Sequence, residues 1–366
     1  MKPKFIHTSD IHLGMKFNNK NFSLKEREKR REELWDTFDE IIKIVKEDKI
    51  KYLFIVGDMI ESEYFNFKSL KRIIQKFKSI EHTKIIITCG SSDPYNINSM
   101  YDYVDFPENV YLIRNTEHVQ NLNFDEDNLS IYSISFNKSV DSQNFQAVYD
   151  ISVNEEKINV LLLYSDIEKT GNEILNNKLN VDLIKNKFDY CALGGKHNYN
   201  KLKNNVVYSG TPEPISFNEG DEHGVIKGYL EKKNPTFDFC NIAKRKFINR
   251  NIDIDITYGY NKILDLIKFS GDTFSNIKDY VRVNLTGTVN IDISIDEIKN
   301  EAKQFFYYIE FEDNFSYKNF DEKKYEENEF NIVESYKLQF ENRCDKLERE
   351  AFKLGLDVLR KEKVVR

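Results

Sequence analysis

Long hydrophobic runs are missing from this chain. The two longest, Tyr52 to Val56 and Val160 to Tyr164, fall far short of the roughly 20 residues a bilayer-spanning helix needs. No apolar stretch precedes Asp10, because the chain enters a strand-like segment at once, and a secretory leader is not expected. Cysteine is scarce: Cys89, Cys191, Cys240 and Cys344 lie far apart without paired spacing. They fit buried thiols of a reduced cytoplasmic protein better than a disulfide framework or a zinc knuckle. Positive charge is not in excess either. Lysine plus arginine is 54 against 61 for aspartate plus glutamate, a net charge of -7. That argues against a uniformly basic nucleic-acid coat while leaving room for a local basic groove. Internal repeats and low-complexity tracts are absent. Membrane, secreted and fibrous classes are therefore disfavoured.

What remains is a core-forming composition, 40% hydrophobic and 31% charged. At about 150 residues per domain, the length predicts two domains. Over the first two-thirds, short apolar runs alternate with amphipathic stretches, the pattern of an α/β layer architecture. Strands are expected over 4–8, 52–56, 84–88, 110–113, 129–134, 160–164 and 190–193. Helices are expected over 23–49 and 69–80, the first carrying Leu34, Phe38, Ile41 and Val45 on one face. Near 241–250 the pattern changes. Ile252, Ile254 and Ile256 alternate with aspartates, then a helix (260–269), a strand (280–285), a second helix and a strand (306–311) complete a βαβαβ unit. Ser294 and Glu297 have capping-box spacing before that second helix. An acidic stretch, 321–328, leads to a last helix. Its stripe runs through Val333, Tyr336, Phe340, Cys344, Leu347, Ala351, Leu354 and Val358. The expected division is 1–245, 246–320 and 321–366.

Carboxylates and histidines sit on loops just after buried strands. Asp10 and His12 follow the first strand, Asp58 the second, Gly90-Ser-Ser-Asp93 the third, and His197 the strand at 190. In an α/β sheet these C-terminal strand ends form one rim, where ligands bind. Two aspartates and two histidines there make an N/O donor set for a divalent transition metal. Any one alone reads more simply as a cap or a satisfied core residue. It is the repetition on four strands that favours a site.

These residues carry a resemblance. His7-Thr-Ser-Asp-Ile-His-Leu-Gly14 and Gly57-Asp58 resemble the opening motifs of calcineurin-like metallophosphoesterases, and more narrowly of SbcD-type DNA double-strand-break-repair nucleases. Tyr208-Ser-Gly-Thr-Pro-Glu-Pro214 and His223-Gly224 strengthen the narrower match, and Ala351-Phe-Lys-Leu-Gly-Leu-Asp357 resembles the YhaO-like branch. The resemblance implies an α/β, four-layer metallophosphoesterase sandwich of two sheets flanked by helices. A small α+β capping domain and a C-terminal helix follow it. It also implies a two-metal phosphodiesterase, commonly manganese dependent. One ion would take Asp10, His12, Asp58 and His197, with Asp58 bridging to a second. Such a pair clamps a phosphate and generates a hydroxide nucleophile. The implied partners are an SbcC-type coiled-coil ATPase and DNA, with a homodimer also compatible.

The second ion's set departs from the family. Ser91, Tyr164 and Gly195 stand where the resemblance places ligands, and Ser92 replaces the catalytic histidine. Glycine offers no side-chain ligand, serine hydroxyls are weak ones, and tyrosine must shed a proton with pKa near 10. Losing a general acid/base costs about 10²–10⁴ in rate, so efficient two-metal chemistry is not expected. Asp93, Asp166 and Lys196 lie near the lost ligands, Lys196 being able to meet a phosphate as a point charge. An exposed lysine and a loop-ordering aspartate are the plainer readings. His7, His82, His118 and His223 are assigned to structure or surface. Lys20, Lys25, Arg27, Lys29, Arg30 and Arg31 form either a DNA-backbone surface or a solvated helix start. The C-terminal stripe either folds onto its own core or docks on the ATPase. Three readings stay open: a catalytically crippled DNA- or ATPase-binding subunit, an active one-metal phosphodiesterase, and a metal-free structural paralogue.

Overall fold

The computed structural model describes residues 2–137, 145–165, 179–219, 222–271, 273–317, 351–352 and 354–355. Strands β1 (Lys4–Thr8), β2 (Tyr52–Val56), β3 (Lys84–Thr88) and β4 (Val110–Leu112) run parallel to one another. Next come β5 (Gln120–Phe124), β6 (Leu129–Ile134), β7 (Ile158–Tyr164), β8 (Tyr190–Gly194), β9 (Asn200–Lys203) and β10 (Val206–Tyr208). Two further strands, β11 (Gly224–Tyr229) and β12 (Thr236–Asn241), return to the first sheet, whose order is β12-β11-β1-β2-β3-β4. The second sheet is β5-β6-β7-β8-β10-β9, with β6, β7, β8 and β10 parallel and antiparallel edges. Strands β13 (Phe247–Ile254), β14 (Tyr280–Val289) and β15 (Tyr308–Tyr317) form a third sheet in that order.

Alternation along each central strand sets the layers. Tyr52, Phe54 and Val56 join Leu129, Ile131, Val160, Leu162, Tyr190 and Ala192 in a cluster between the two large sheets. Leu53 and Ile55 face the other way, onto Leu34, Phe38 and Ile41 of α1 (Leu24–Glu47) and Leu70, Ile73 and Phe77 of α2 (Phe67–Lys78). Beyond the second sheet, Leu161, Leu163, Cys191 and Leu193 pack on Val148 of α3 (Phe145–Tyr149) and Ile184 of α4 (Val181–Lys187). A strand covered on both faces must be apolar at every position, and β2 is buried throughout. The result is the α/β sandwich of two sheets flanked by helices.

Local chemistry explains the element ends. Ser23 caps α1 in a reciprocal box, its hydroxyl accepting from Glu26 N at 3.3 Å while Glu26 accepts from Ser23 N at 2.6 Å. Helix α2 begins at Phe67, earlier than the apolar pattern suggests, because Asn66 accepts from Ser69 N at 2.9 Å. Arg30 departs from the solvated helix start. It is fully buried, donating to Glu33 and to Glu213 Oε1 (3.1 Å), so it cannot belong to a basic surface. Lys20 and Lys25 of the same run are exposed. His7 lies between the large sheets, Nε2 donating to Leu193 O at 3.1 Å and Nδ1 accepting from Tyr190 at 3.0 Å.

The chain divides into two compact units, with boundaries inside β13, β14 and β15. The first holds 1–250, 271–283 and 303–311; the second holds 251–270, 284–302 and 312–366. In the second, Ile263, Leu264 and Ile267 of one helix, Tyr260–Phe269, and Ile298 and Ala302 of another, Ile295–Ala302, are buried. The C-terminal stripe from Val333 to Cys344 and Leu347, together with Val358, lies outside the described residues.

Candidate metal centre

The loops that leave β1 and β2 are laced together. Asp10 N donates to Gly57 O at 3.1 Å, His12 N to Asp58 O at 2.9 Å and Leu13 N to Met59 O at 3.0 Å. Asp10, His12 and Asp58 all have left-handed backbones, with φ of 52°, 51° and 48°. Such conformations cost on the order of 1–3 kcal/mol each and persist only where surroundings over-determine them. Here the reward is direction: three side chains turn onto one rim. The second sheet meets that rim at Gly194, where a Cβ would lie 1.7 Å from Val56 O. That close approach brings the His197 loop over Asp10.

Asp10, His12 and His197 place one donor atom each within 4.8 Å of one another. His12 Nε2 is 3.3 Å from His197 Nε2 and 3.9 Å from Asp58 Oδ2. The other ring nitrogens are held by carboxylates: His12 Nδ1 by Glu61 Oε1 at 2.6 Å, His197 Nδ1 by Glu219 Oε1 at 3.1 Å. An ionised carboxylate only accepts, so both Nδ1 atoms carry protons and both Nε2 atoms, 3.3 Å apart, face the same point. This carboxylate–histidine arrangement fixes tautomer and ring orientation in metal sites. Glu219 is itself anchored by Ile215 N at 2.8 Å and by the Ser216 hydroxyl at 3.1 Å.

The electrostatics agree with that geometry. Burial, then the charge of Asp58, lifts the Asp10 carboxyl to about 6. Burial opposes a charge on His12, yet the Glu61 hydrogen bond and the Asp58, Asp10 and Glu61 charges outweigh it and raise the ring to about 9. Burial likewise works against the Glu219 carboxylate, but its hydrogen bond to His197 and that ring's charge hold it below the usual range. The raised His12 ring holds its second proton on Nε2, a positive charge set between His197 and the carboxylates that a bound cation would replace. A divalent cation fits Asp10, His12 and His197, with Asp58 alongside; when bound it would supply a Lewis acid for a phosphate oxygen.

The far side of Asp58 is built differently. Its Oδ1 accepts from Ser92 N at 2.7 Å, and its Oδ2 accepts from the Tyr164 hydroxyl at 3.0 Å and the Ser91 hydroxyl at 3.4 Å. Ser91 Oγ and Tyr164 OH are 2.7 Å apart. Burial, then the nearby Asp58 and Asp10 charges, pushes the Tyr164 phenol far above its ordinary range and keeps it neutral. Gly195 contributes its amide, which reaches Asp10 Oδ1 and Oδ2 at 3.1 and 3.0 Å.

The sequence profile of the calcineurin-like phosphoesterase family matches residues 3–199. The chain belongs to the calcineurin-like phosphoesterase family. It is similar to the DNA double-strand break repair protein Mre11 of Sulfolobus acidocaldarius, 22% identical over 304 residues, covering 82% of this chain and 69% of that protein. The Mre11 of Sulfurisphaera tokodaii is 22% identical over 268 residues, covering 67% of this chain and 64% of that protein. A solved structure, GAP50, the anchor in the inner membrane complex of Plasmodium, aligns with a TM-score of 0.41 at 11% identity. That alignment covers 66% of this chain and 85% of that one.

Members of this phosphoesterase family use divalent metals, and three of the expected donors, Asp10, His12 and His197, cluster here, with Asp58 Oδ2 3.9 Å from His12 Nε2. Ser91 and Tyr164 border Asp58 and Gly195 borders Asp10, on the side where the resemblance places a second ion. Asp93 orders its loop, accepting from Asp58 N, Gly90 N, Met59 N and the Tyr101 hydroxyl at 2.6–3.1 Å. His223 is buried against Thr211, and His82 and His118 are exposed. Asp166 lies outside the described residues. Sequence reasoning missed Glu61 and Glu219. Only a carboxylate three residues after Asp58 hinted at the first, and nothing local marked the second. Among the described residues, no helix is long and apolar enough to cross a membrane.

Proposed function

We propose that the chain is a DNA-repair-nuclease type of calcineurin-like phosphoesterase in which phosphodiester cleavage is lost or strongly reduced. It acts as the DNA- or ATPase-binding subunit of a repair assembly. The similarity to the two archaeal Mre11 proteins supports the DNA-repair assignment. The observation that carries the loss of activity is the one-sidedness of the centre. Among the described residues, Asp58 has the His12 imidazole on one side and hydroxyl and amide groups on the other. The Asp10, His12, Asp58 and His197 set would hold one divalent ion, and its N/O character suits manganese. The SbcD-like branch, a cytoplasmic setting and an SbcC-type coiled-coil ATPase as partner belong to the same proposal.

One observation favours a second reading, an active one-metal phosphodiesterase. Glu61 and Glu219 still orient both histidines, an expense of buried charge that a metal-free paralogue has no need of. Manganese binding by the full chain, followed by a manganese-dependent assay on linear and single-stranded DNA, tests the set. Binding with cleavage far below that of a complete two-metal family member is the expected result. Robust cleavage abolished by Asp58→Ala would establish the one-metal enzyme instead, and absence of binding the metal-free paralogue.

A further inference from the structure

We propose that Tyr164 closes the second ion position outright, making this a one-ion centre by construction; the inference rests on the one-ion reading above. The phenol is 2% exposed and is wedged between the loops after β2 and β3. A Cβ on Gly57 would lie 2.1 Å from Tyr164 Cδ2, and a Cβ on Gly90 2.7 Å from Tyr164 Cε2. The two glycines therefore make the space that the ring fills. Phe136 braces it from another direction, with ring centroids 5.7 Å apart at 66°. With the hydroxyl fixed on Asp58 Oδ2 and Ser91 Oγ, the ring is anchored at its tip as well as along its edges.

Charge balance points the same way. A second cation would neutralise the carboxylates of Asp58 and Asp10 from this side. Here three hydrogen-bond donors aim their positive ends at those oxygens: Tyr164 OH and Ser92 N at Asp58, Gly195 N at Asp10. Donors of this kind stabilise a carboxylate but repel an incoming cation, because their hydrogens occupy the lone pairs it would need. Tyr164 is thus a positioning residue. It holds Asp58 as a terminal partner of one ion and prevents it from bridging two.

The test counts ions. The full chain is equilibrated with manganese, freed of excess metal, and analysed for bound manganese and by electron paramagnetic resonance. Wild type should hold one ion with the spectrum of an isolated centre. The variant Ser91→Asn/Gly195→His, which adds ligands but keeps Tyr164, should still hold one. Adding Tyr164→His to that pair should raise the count to two and bring in spin coupling. Tyr164→Phe, which keeps the ring, should remain at one. Two ions in wild type, or in Ser91→Asn/Gly195→His, would overturn the proposal even if the triple variant fails to fold. A triple variant that folds, as judged by its thermal transition, yet stays at one ion would also overturn it. No ion bound by wild type would instead remove the one-ion reading on which the proposal stands.

Discussion

His7 shows what burial does to one titratable ring. Unfolded, it titrates near 6.5; between the sheets, burial drives it to about 3, against a smaller upward pull from the Leu193 carbonyl. Between those values the unfolded chain binds a proton that the native chain refuses. Stability from this residue is therefore complete above about pH 6.5 and falls as pH drops, by about 1.4 kcal/mol per pH unit. Burial raises Asp93 to about 6, which acts in the opposite sense, so a mutant difference is the cleaner measure. The stability advantage of wild type over His7→Leu in denaturant melts should be constant above pH 6.5 and shrink below it. A parallel pair of curves would contradict the assignment. Glu61 and Glu219 make the other residue-scale prediction. Glu61→Ala and Glu219→Ala should each weaken manganese binding by about 10–100-fold in calorimetric titration. Neither carboxylate was legible in the sequence, because each partner histidine lies far along the chain, 49 residues from Glu61 and 22 from Glu219. Asp10, His12, Asp58 and His197 stood out as candidates because each comes soon after a strand that announces itself.

At the scale of elements, helix α1 repays attention at Arg30. Its guanidinium meets Glu213 at 3.1 Å, and Glu213 also accepts from Thr37 at 2.9 Å and Lys244 N at 2.6 Å. Removing one member of a buried ion pair leaves the other uncompensated, at about 3–5 kcal/mol. Arg30→Met should lower stability by that amount, and Arg30→Met/Glu213→Leu should recover much of it, as equilibrium unfolding would report. An unchanged midpoint for Arg30→Met would place the arginine back in solvent. Arg30 sits in a run of basic residues, and the partner that draws it inward lies 183 residues later. Strands β1, β2, β3, β7 and β8 were legible because their apolar runs end in or just before glycine or site residues. Strands β9 and β12 were not, because edge strands with alternating exposure carry polar residues such as Asn200, Lys203, Thr236 and Asp238. Strand β11, inserted beside β1, was hidden by Lys227 and by glycines at 224 and 228.

For the whole molecule, sandwich and rim follow from alternation, whereas the partner cannot be inferred from strand pattern. If 328–366 docks on a coiled-coil ATPase, its removal should abolish that association and leave the thermal transition of the first unit in place. Collapse of the entire transition would make the segment part of the core and end the docking assignment. The central claim is that a one-sided metal centre leaves this phosphoesterase without efficient phosphodiester cleavage. The most direct measurement compares manganese-dependent cleavage of linear DNA by wild type and by Ser91→Asn/Ser92→His/Tyr164→His/Gly195→His. Because groups that act as a unit are non-additive, single replacements should do little and the fourfold variant should gain about 10²-fold or more. Fast wild-type cleavage that Asp58→Ala abolishes would contradict the account.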